Sequence, residues 1–216
     1  MKKIIATIVA LVFSTSAYAA EIGQISIGAT LNHGVYVGDG KEENYTHTGT
    51  LETTSKKDGA AFVDTYATIF VEAEVNDNMS IGISYAPDTV DTPQNVNDGE
   101  GGDGQTDIKV QASFEDLTTI YALAKSDNGL FAKLGYSMMD INLTTENAGT
   151  YGNTDTDGFE LALGYEHDLG TVGVRAELAY QSFSSVNANN GQTDKNEVTV
   201  SNMQGATARI SLVKSF

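Results

Sequence analysis

The chain of 216 residues reads as an all-β protein, an eight-stranded antiparallel up-and-down transmembrane β-barrel. Three observations predict it. The N-terminus carries an export signal. The remainder alternates apolar and polar residues with the period of two that marks a strand. The connections between the alternating segments are short and long by turns.

Met1-Lys2-Lys3 forms a basic n-region, Ile4 to Phe13 an apolar core, and Ala17-Tyr18-Ala19 a small-x-small cleavage site before Ala20. This is the pattern of a secretory signal peptide, residues 1–19. Residues 20–216 then form the mature chain, a single barrel domain. Beyond residue 19 no apolar run reaches the ~20 residues that a membrane helix needs, so any crossing is made by strands. Cysteine is absent, which excludes a disulfide framework and leaves strand pairing and burial to hold the fold. The chain has 12 basic and 29 acidic residues. Such an excess of negative charge repels nucleic acid and anionic membrane faces. Two prolines and 22 glycines, spread through alternating segments, suit a large antiparallel sheet.

Residues 24–37 make the first strand, with Ile25, Ile27, Ala29, Leu31, Val35 and Val37 on one face and small or polar residues on the other. Residues 62–75 repeat the pattern: Val63, Ala67, Ile69 and Val71 oppose Asp64, Thr68, Glu72 and Glu74. Asn76-Asp77-Asn78 is a turn, and Ile81, Ile83 and Tyr85 continue outward in a third strand that completes a hairpin. In the fourth, Ile108, Val110, Ala112 and Phe114 form the oily face, but the same parity places Asp116 there too. Leu117, Tyr121 and Leu123 then restart the oily set, which predicts a register change at a bulge. After the turn Ser126-Asp127-Asn128-Gly129, residues 130–143 alternate from Leu130 through Ala132, Leu134, Tyr136 and Met138. Phe159, Leu161, Leu163 and Tyr165 follow in the sixth strand. Past the turn at His167-Asp168-Leu169-Gly170 the seventh carries Val172, Val174, Ala176, Leu178 and Tyr180. The eighth runs to the C-terminus with Ala206, Ala208, Ile210, Leu212 and Phe216 on one face and Thr207, Arg209 and Ser211 on the other.

The joins after the second, fourth and sixth strands are a few residues each. Those after the first, third, fifth and seventh are residues 38–60, 88–105, 144–156 and 184–202, rich in Gly, Asn, Asp and Thr. Long loops at one end and tight turns at the other belong to bacterial transmembrane barrels, whose turns are periplasmic. The charges agree. Glu72, Lys133, Glu160, Arg175, Glu177 and Arg209 all fall opposite the face assigned from aliphatics. An eight-stranded barrel is filled by its own side chains, so these six are expected in the lumen as a paired charge network. Over all the polar faces, with Asp64, Glu74 and Glu166 included, acids outnumber bases, which predicts a preference for cations if a path exists.

With its export signal, loop asymmetry and C-terminal aromatic behind Ile210 and Leu212, the chain resembles the small outer-membrane β-barrel family typified by the OmpA transmembrane domain and OmpX. That resemblance implies localisation in the cell outer membrane, contact with outer-membrane lipid and lipopolysaccharide, and delivery by the barrel-assembly machinery through the signal Ile210, Leu212 and Phe216. Lys214 departs from the family's usual apolar residue. In place of tryptophan, Tyr85, Tyr121, Tyr136, Tyr165, Tyr180 and Phe216 are the candidates for an interfacial aromatic girdle.

No catalytic, cofactor or metal site is expected. His47, in the first long loop, and His167, in a periplasmic turn, lie at opposite ends. A rim His47 with Ser55 and a loop acid would be the outline of a lipid-modifying enzyme, weighed against ordinary loop polarity. Asn153-Thr154-Asp155-Thr156-Asp157-Gly158 starts like a calcium loop, but Gly164 stands where its Glu belongs. Gly101-Gly102-Asp103-Gly104-Gln105 is a second partial match. The four long loops hold 14 acids and 4 bases, which suits loosely bound divalent cations. The expected role is non-enzymatic: membrane integrity and surface interaction through long acidic extracellular loops. A small porin-like passive channel is the alternative.

Overall fold

The computed structural model describes residues 23–97, 108–146, 150–191 and 196–216. The expected signal peptide, residues 1–19, and the partial calcium motif at 101–105 lie outside them. Eleven strands occur among the described residues: β1 (Ile25–Tyr45), β2 (Leu51–Asn76), β3 (Met79–Tyr85), β4 (Val90–Asp91), β5 (Asn95–Asn97), β6 (Ile108–Lys125), β7 (Leu130–Glu146), β8 (Thr154–Asp168), β9 (Gly173–Phe183), β10 (Val186–Asn189) and β11 (Asn196–Ser215). Eight of them, β1-β2-β3-β6-β7-β8-β9-β11, form the wall in that order, and β1 pairs with β11 to close it. Every ladder is antiparallel. The short β4 and β5 pair with β6, and β10 with β11, outside the ring.

Closure turns one face of each strand to lipid. Leu31, Ile69, Leu134, Leu163, Leu178 and Ile210 stand out from the wall, Leu178 at 69 % exposure. A soluble monomer does not carry a continuous apolar belt of this kind, whereas a bilayer covers it. The opposite faces bury Asn32, Thr68, Ser137, Gln181 and Thr207. The first described residue, Gly23, and Phe216 lie at the end that carries the tight turns: the Gly23 amide donates to the Glu74 carbonyl and the Phe216 amide to the Ile25 carbonyl. At the second turn Gly129 takes φ 88°, and its amide donates to the Ser126 carbonyl. Only glycine adopts that conformation without steric cost.

Two features differ from the sequence reading. The stretch 38–60 is largely a hairpin arm, because the ladder continues past the membrane belt with Lys41, Glu42 and Glu43 opposite Lys56, Ser55 and Thr54. Alternation disappears there because water lies on both sides, but backbone pairing needs no apolar face.

The second difference concerns β6. Its register shifts between Glu115 and Thr118, and Asp116 takes φ 54°, so the bulge is where it was expected. Its consequence is the reverse of the expectation. Tyr121 and Leu123 are buried in the lumen, while Ile120, Ala122 and Ala124 face lipid. Tyr121 therefore leaves the girdle. Above the bulge Phe114 lies opposite the buried Ile141, so Ala112 and Phe114 also point inward. Two apolar sets compete for one strand face at this point, and the contacts of Tyr121 decide between them: its ring lies over Gly82, where a Cβ would meet it at 2.5 Å. A second bulge stands in β11, where Asn202 takes φ 52° and the β1–β11 register shifts at Val37/Asp39.

Candidate functional site: an ion-paired lumen

All six charged residues singled out in the sequence are buried inside the ring. Strand tilt and stagger bring them together although they come from five strands. They form two groups. In the lower one, Arg175 on β9 makes a bidentate pair with Glu72 on β2, Nη1 to Oε1 at 2.7 Å and Nη2 to Oε2 at 2.9 Å. The same guanidinium donates to Glu166 Oε2 from Nε at 3.0 Å and Nη2 at 2.6 Å. Lys125 Nζ reaches the other Glu166 oxygen at 3.0 Å. Phe70 and Phe131 lie 5.4 Å and 5.1 Å from the guanidinium, ring centroid to Cζ, a cation–π sandwich.

In the upper group Arg209 on β11 forks onto Glu160, Nη1 to Oε1 at 2.9 Å and Nη2 to Oε2 at 2.7 Å, and Nη1 also donates to Glu177 Oε1 at 2.7 Å. Lys133 Nζ donates to Glu177 at 2.8 Å and lies 3.2 Å from Glu160. Gln181 Nε2 donates to Glu160 at 2.9 Å. Tyr121 joins the groups: its hydroxyl donates to Glu72 Oε1 at 2.8 Å, and Lys133 Nζ lies 4.9 Å from its ring centroid.

Planar bidentate geometry is the strongest form of the Arg–carboxylate contact, and it is what makes burial of these charges tolerable. The residue types follow from that requirement. Lysine cannot fork, so the two groups each centre on an arginine. The remaining void among these side chains is about 20 Å³, roughly the space of one water. The lumen is filled at this level.

Sequence reasoning missed Glu166, Lys125, Tyr121 and Gln181. Glu166 was legible, since it shares parity with Glu160; Lys125 and Tyr121 were hidden by the β6 bulge. With Glu166 and Lys125 included, Glu72, Glu160, Glu166 and Glu177 face Lys125, Lys133, Arg175 and Arg209. Four acids meet four bases, so the expected acidic excess, and the cation preference derived from it, is not present in this network.

The other candidates separate. His47 lies in the turn that caps the β1–β2 arm, while Ser55 lies down the arm opposite Glu42. His33 faces outward and shares a 2.7 Å hydrogen bond with Thr65, and His167 stacks on Tyr165 at the other end. Most of the partial calcium motif at 153–158 is strand, with Asp155 opposite Asp140 and the Asp157 carboxylate accepting from the Tyr136 hydroxyl at 2.7 Å. It does not wrap into a loop. Ile210, Leu212 and Phe216 all project outward into the lipid belt. The Phe216 amide donates to the Ile25 carbonyl, which stitches the C-terminus to the first strand. Tyr136, Phe159 and Tyr180 mark one edge of the belt, and Tyr165 and Phe216 the other.

A closed ring of eight antiparallel strands, oily outside and filled with paired charges inside, defines a β-barrel of the bacterial outer-membrane type. Solved structures agree on the fold. The outer membrane protein OprG from Pseudomonas aeruginosa superposes with a TM-score of 0.56 at 13% identity, over 90% of this chain and 97% of that one. AlkL, solved in lipid bilayers, gives 0.50 at 15% identity, over 92% and 93%. The outer membrane protease OmpT from Escherichia coli aligns more remotely, at 0.45 and 11% identity over 92% and 100%. No protein-family model matches the chain, and no curated protein matches it in sequence.

Proposed function

We propose that this chain is a non-enzymatic outer-membrane barrel whose membrane section is a closed, rigid plug, and that it serves membrane integrity and surface contact through its long acidic extracellular loops. The single observation behind this reading is the filled lumen: eight charges, six of them buried, are paired across the ring, and the void they leave holds roughly one water. A plug of this kind braces the ring across its lumen, since Glu72 on β2 and Arg175 on β9 come from strands that are not neighbours in the wall. Loosely held divalent cations suit the acidic loops and would bridge them to the anionic lipopolysaccharide around the barrel. Ile210, Leu212 and Phe216 are the residues that the barrel-assembly machinery would read, and their outward projection suits that role.

Conductance of the refolded mature chain in a planar bilayer tests the reading. The expected result is a silent membrane from folded protein, with openings gained when Glu72→Gln, Arg175→Gln and Arg209→Gln are combined. Reproducible openings from the unaltered chain, changed in selectivity by those substitutions, would replace the plug by a small passive channel.

A further inference from the structure

Above the ion pairs the inside of the barrel changes from polar to apolar. The bulges at Asp116 and Asn202 cause the change by exchanging the faces of β6 and β11. Ala112 and Phe114, Val198 and Val200 thereby point into the barrel, beside Met139 and Ile141 of β7. Part of this set packs: Ile141, Val186 and Met203 are in mutual contact, with Phe114, Phe183 and Val200 against them. The packing is incomplete. A cavity of about 650 Å³ remains, walled by Phe62, Phe114, Met139, Leu143, Val198 and Met203. Native interiors leave few voids larger than a water, so this is no packing defect, and its size is that of a small-molecule pocket.

The floor of the cavity is the top of the charge network. Gln181 lies between the two, 1 % exposed, with its amide nitrogen on Glu160 and its Oε1 without a donor among the described groups. The side wall has a seam. β3 ends at Tyr85 opposite Ile69, and the segment after it pairs with β6, so β2 above Ile69 has a ladder only with β1 among the described residues. The seam is crossed by the Ala67 amide, which donates to Asp88 Oδ2 at 3.1 Å, and by the stacked rings of Phe62 and Phe114, 6.3 Å apart. Val63, exposed on the outer wall beside Phe62, puts this seam at the upper edge of the lipid belt.

The charges at the rim cancel. Lys41, Lys56 and Lys57 meet Asp39, Glu42 and Asp88 around the cavity. Several are already engaged: Lys41 pairs with Glu43 at 2.7 Å, Asp39 accepts from the Gly59 amide and Asn202, and Asp88 from Ala67. Nothing in the wall selects an ion.

We propose that this cavity binds an uncharged, mainly hydrocarbon small molecule, which enters through the seam between β2 and the segment that follows β3. The site rests on the closed-lumen reading only in having the ion pairs as its floor. Binding is measured without conductance, so the two readings fail separately.

The chain contains no tryptophan, so a single indole reports cleanly. Phe62→Trp places it in the cavity wall, and Leu163→Trp places it on the lipid face. Each full-length mature protein is folded into lipid nanodiscs, with heat-modifiable gel migration as the folding check, and titrated with bromodecane, a neutral heavy-atom quencher. Quenching of Phe62→Trp is expected to saturate, while that of Leu163→Trp grows in proportion to bilayer loading. Ala112→Phe fills the cavity, and adding it to the Phe62→Trp protein is expected to raise the half-quenching concentration roughly tenfold or more. Val198→Phe serves the same purpose if the first filling variant fails to fold. Proportional quenching at both positions, or saturation unchanged by filling in a folded barrel, overturns the site. Bromoundecanoate binding as tightly as bromodecane overturns the assignment to uncharged ligands.

Discussion

Arg175→Met is the most demanding test of the plug. The native guanidinium makes four hydrogen bonds of 2.6 to 3.0 Å to two carboxylates. Methionine keeps much of the length between Phe70 and Phe131 but leaves Glu72 with the Tyr121 hydroxyl alone and Glu166 with Lys125. Removing one member of a buried pair costs about 3–5 kcal/mol, because the partner charge stays desolvated. That is a loss of roughly two to nearly four powers of ten in the folding constant. Urea unfolding in lipid vesicles, read by circular dichroism and gel migration, measures it. Combining Glu72→Gln with Arg175→Met removes the orphaned charge, and the double variant is expected to recover about 1–3 kcal/mol relative to the sum of the single changes. Lys41→Met, which breaks the exposed Lys41–Glu43 pair, should leave the unfolding midpoint nearly unchanged, because solvent screens an exposed pair. If Arg175→Met costs no more than Lys41→Met, or if the double variant is merely additive, the lumen pairs are not what holds the wall.

Two further outcomes follow from local geometry. At Gly164 an added Cβ would lie 2.3 Å from Phe131 Cζ and 2.5 Å from the Ala176 carbonyl oxygen, so Gly164→Ala should cost about 1–3 kcal/mol by overpacking. Phe131→Leu in the same chain should return part of that cost in the same unfolding assay. At the base of the β1–β2 arm, the Asn202 side-chain amide and the Gly59 backbone N–H donate to Asp39 and hold its carboxyl below the usual range. The tie between the β1–β2 arm and β11 is therefore complete above the ordinary carboxylate pKa and is lost as pH falls through the lower folded value. Carboxyl NMR titration should place the Asp39 midpoint below 3.8, and Asn202→Ala should move it back up.

Much of the architecture was legible because a strand records its surroundings locally. A residue's parity says which face it occupies, and a full charge opposite an oily row, as at Glu160 between Phe159 and Leu161, says that the other side of the wall is polar. Eight such segments with connections that alternate in length point to a barrel before any contact is known. Only the closed tertiary structure decided the rest. Which acid meets which base depends on the stagger of strands far apart in sequence, so the partners of Arg175 and Arg209 emerge from ring closure and not from spacing. Parity located the bulge at Asp116 but not the one at Asn202, and at neither could it assign the faces, because an αL residue reverses every face after it and two apolar rows cannot say which of them meets lipid. That choice was made by non-local contacts, with Tyr121 reaching Glu72 across Gly82 and Phe114 lying opposite Ile141, and it is what turned an oily strand end inward to line a cavity.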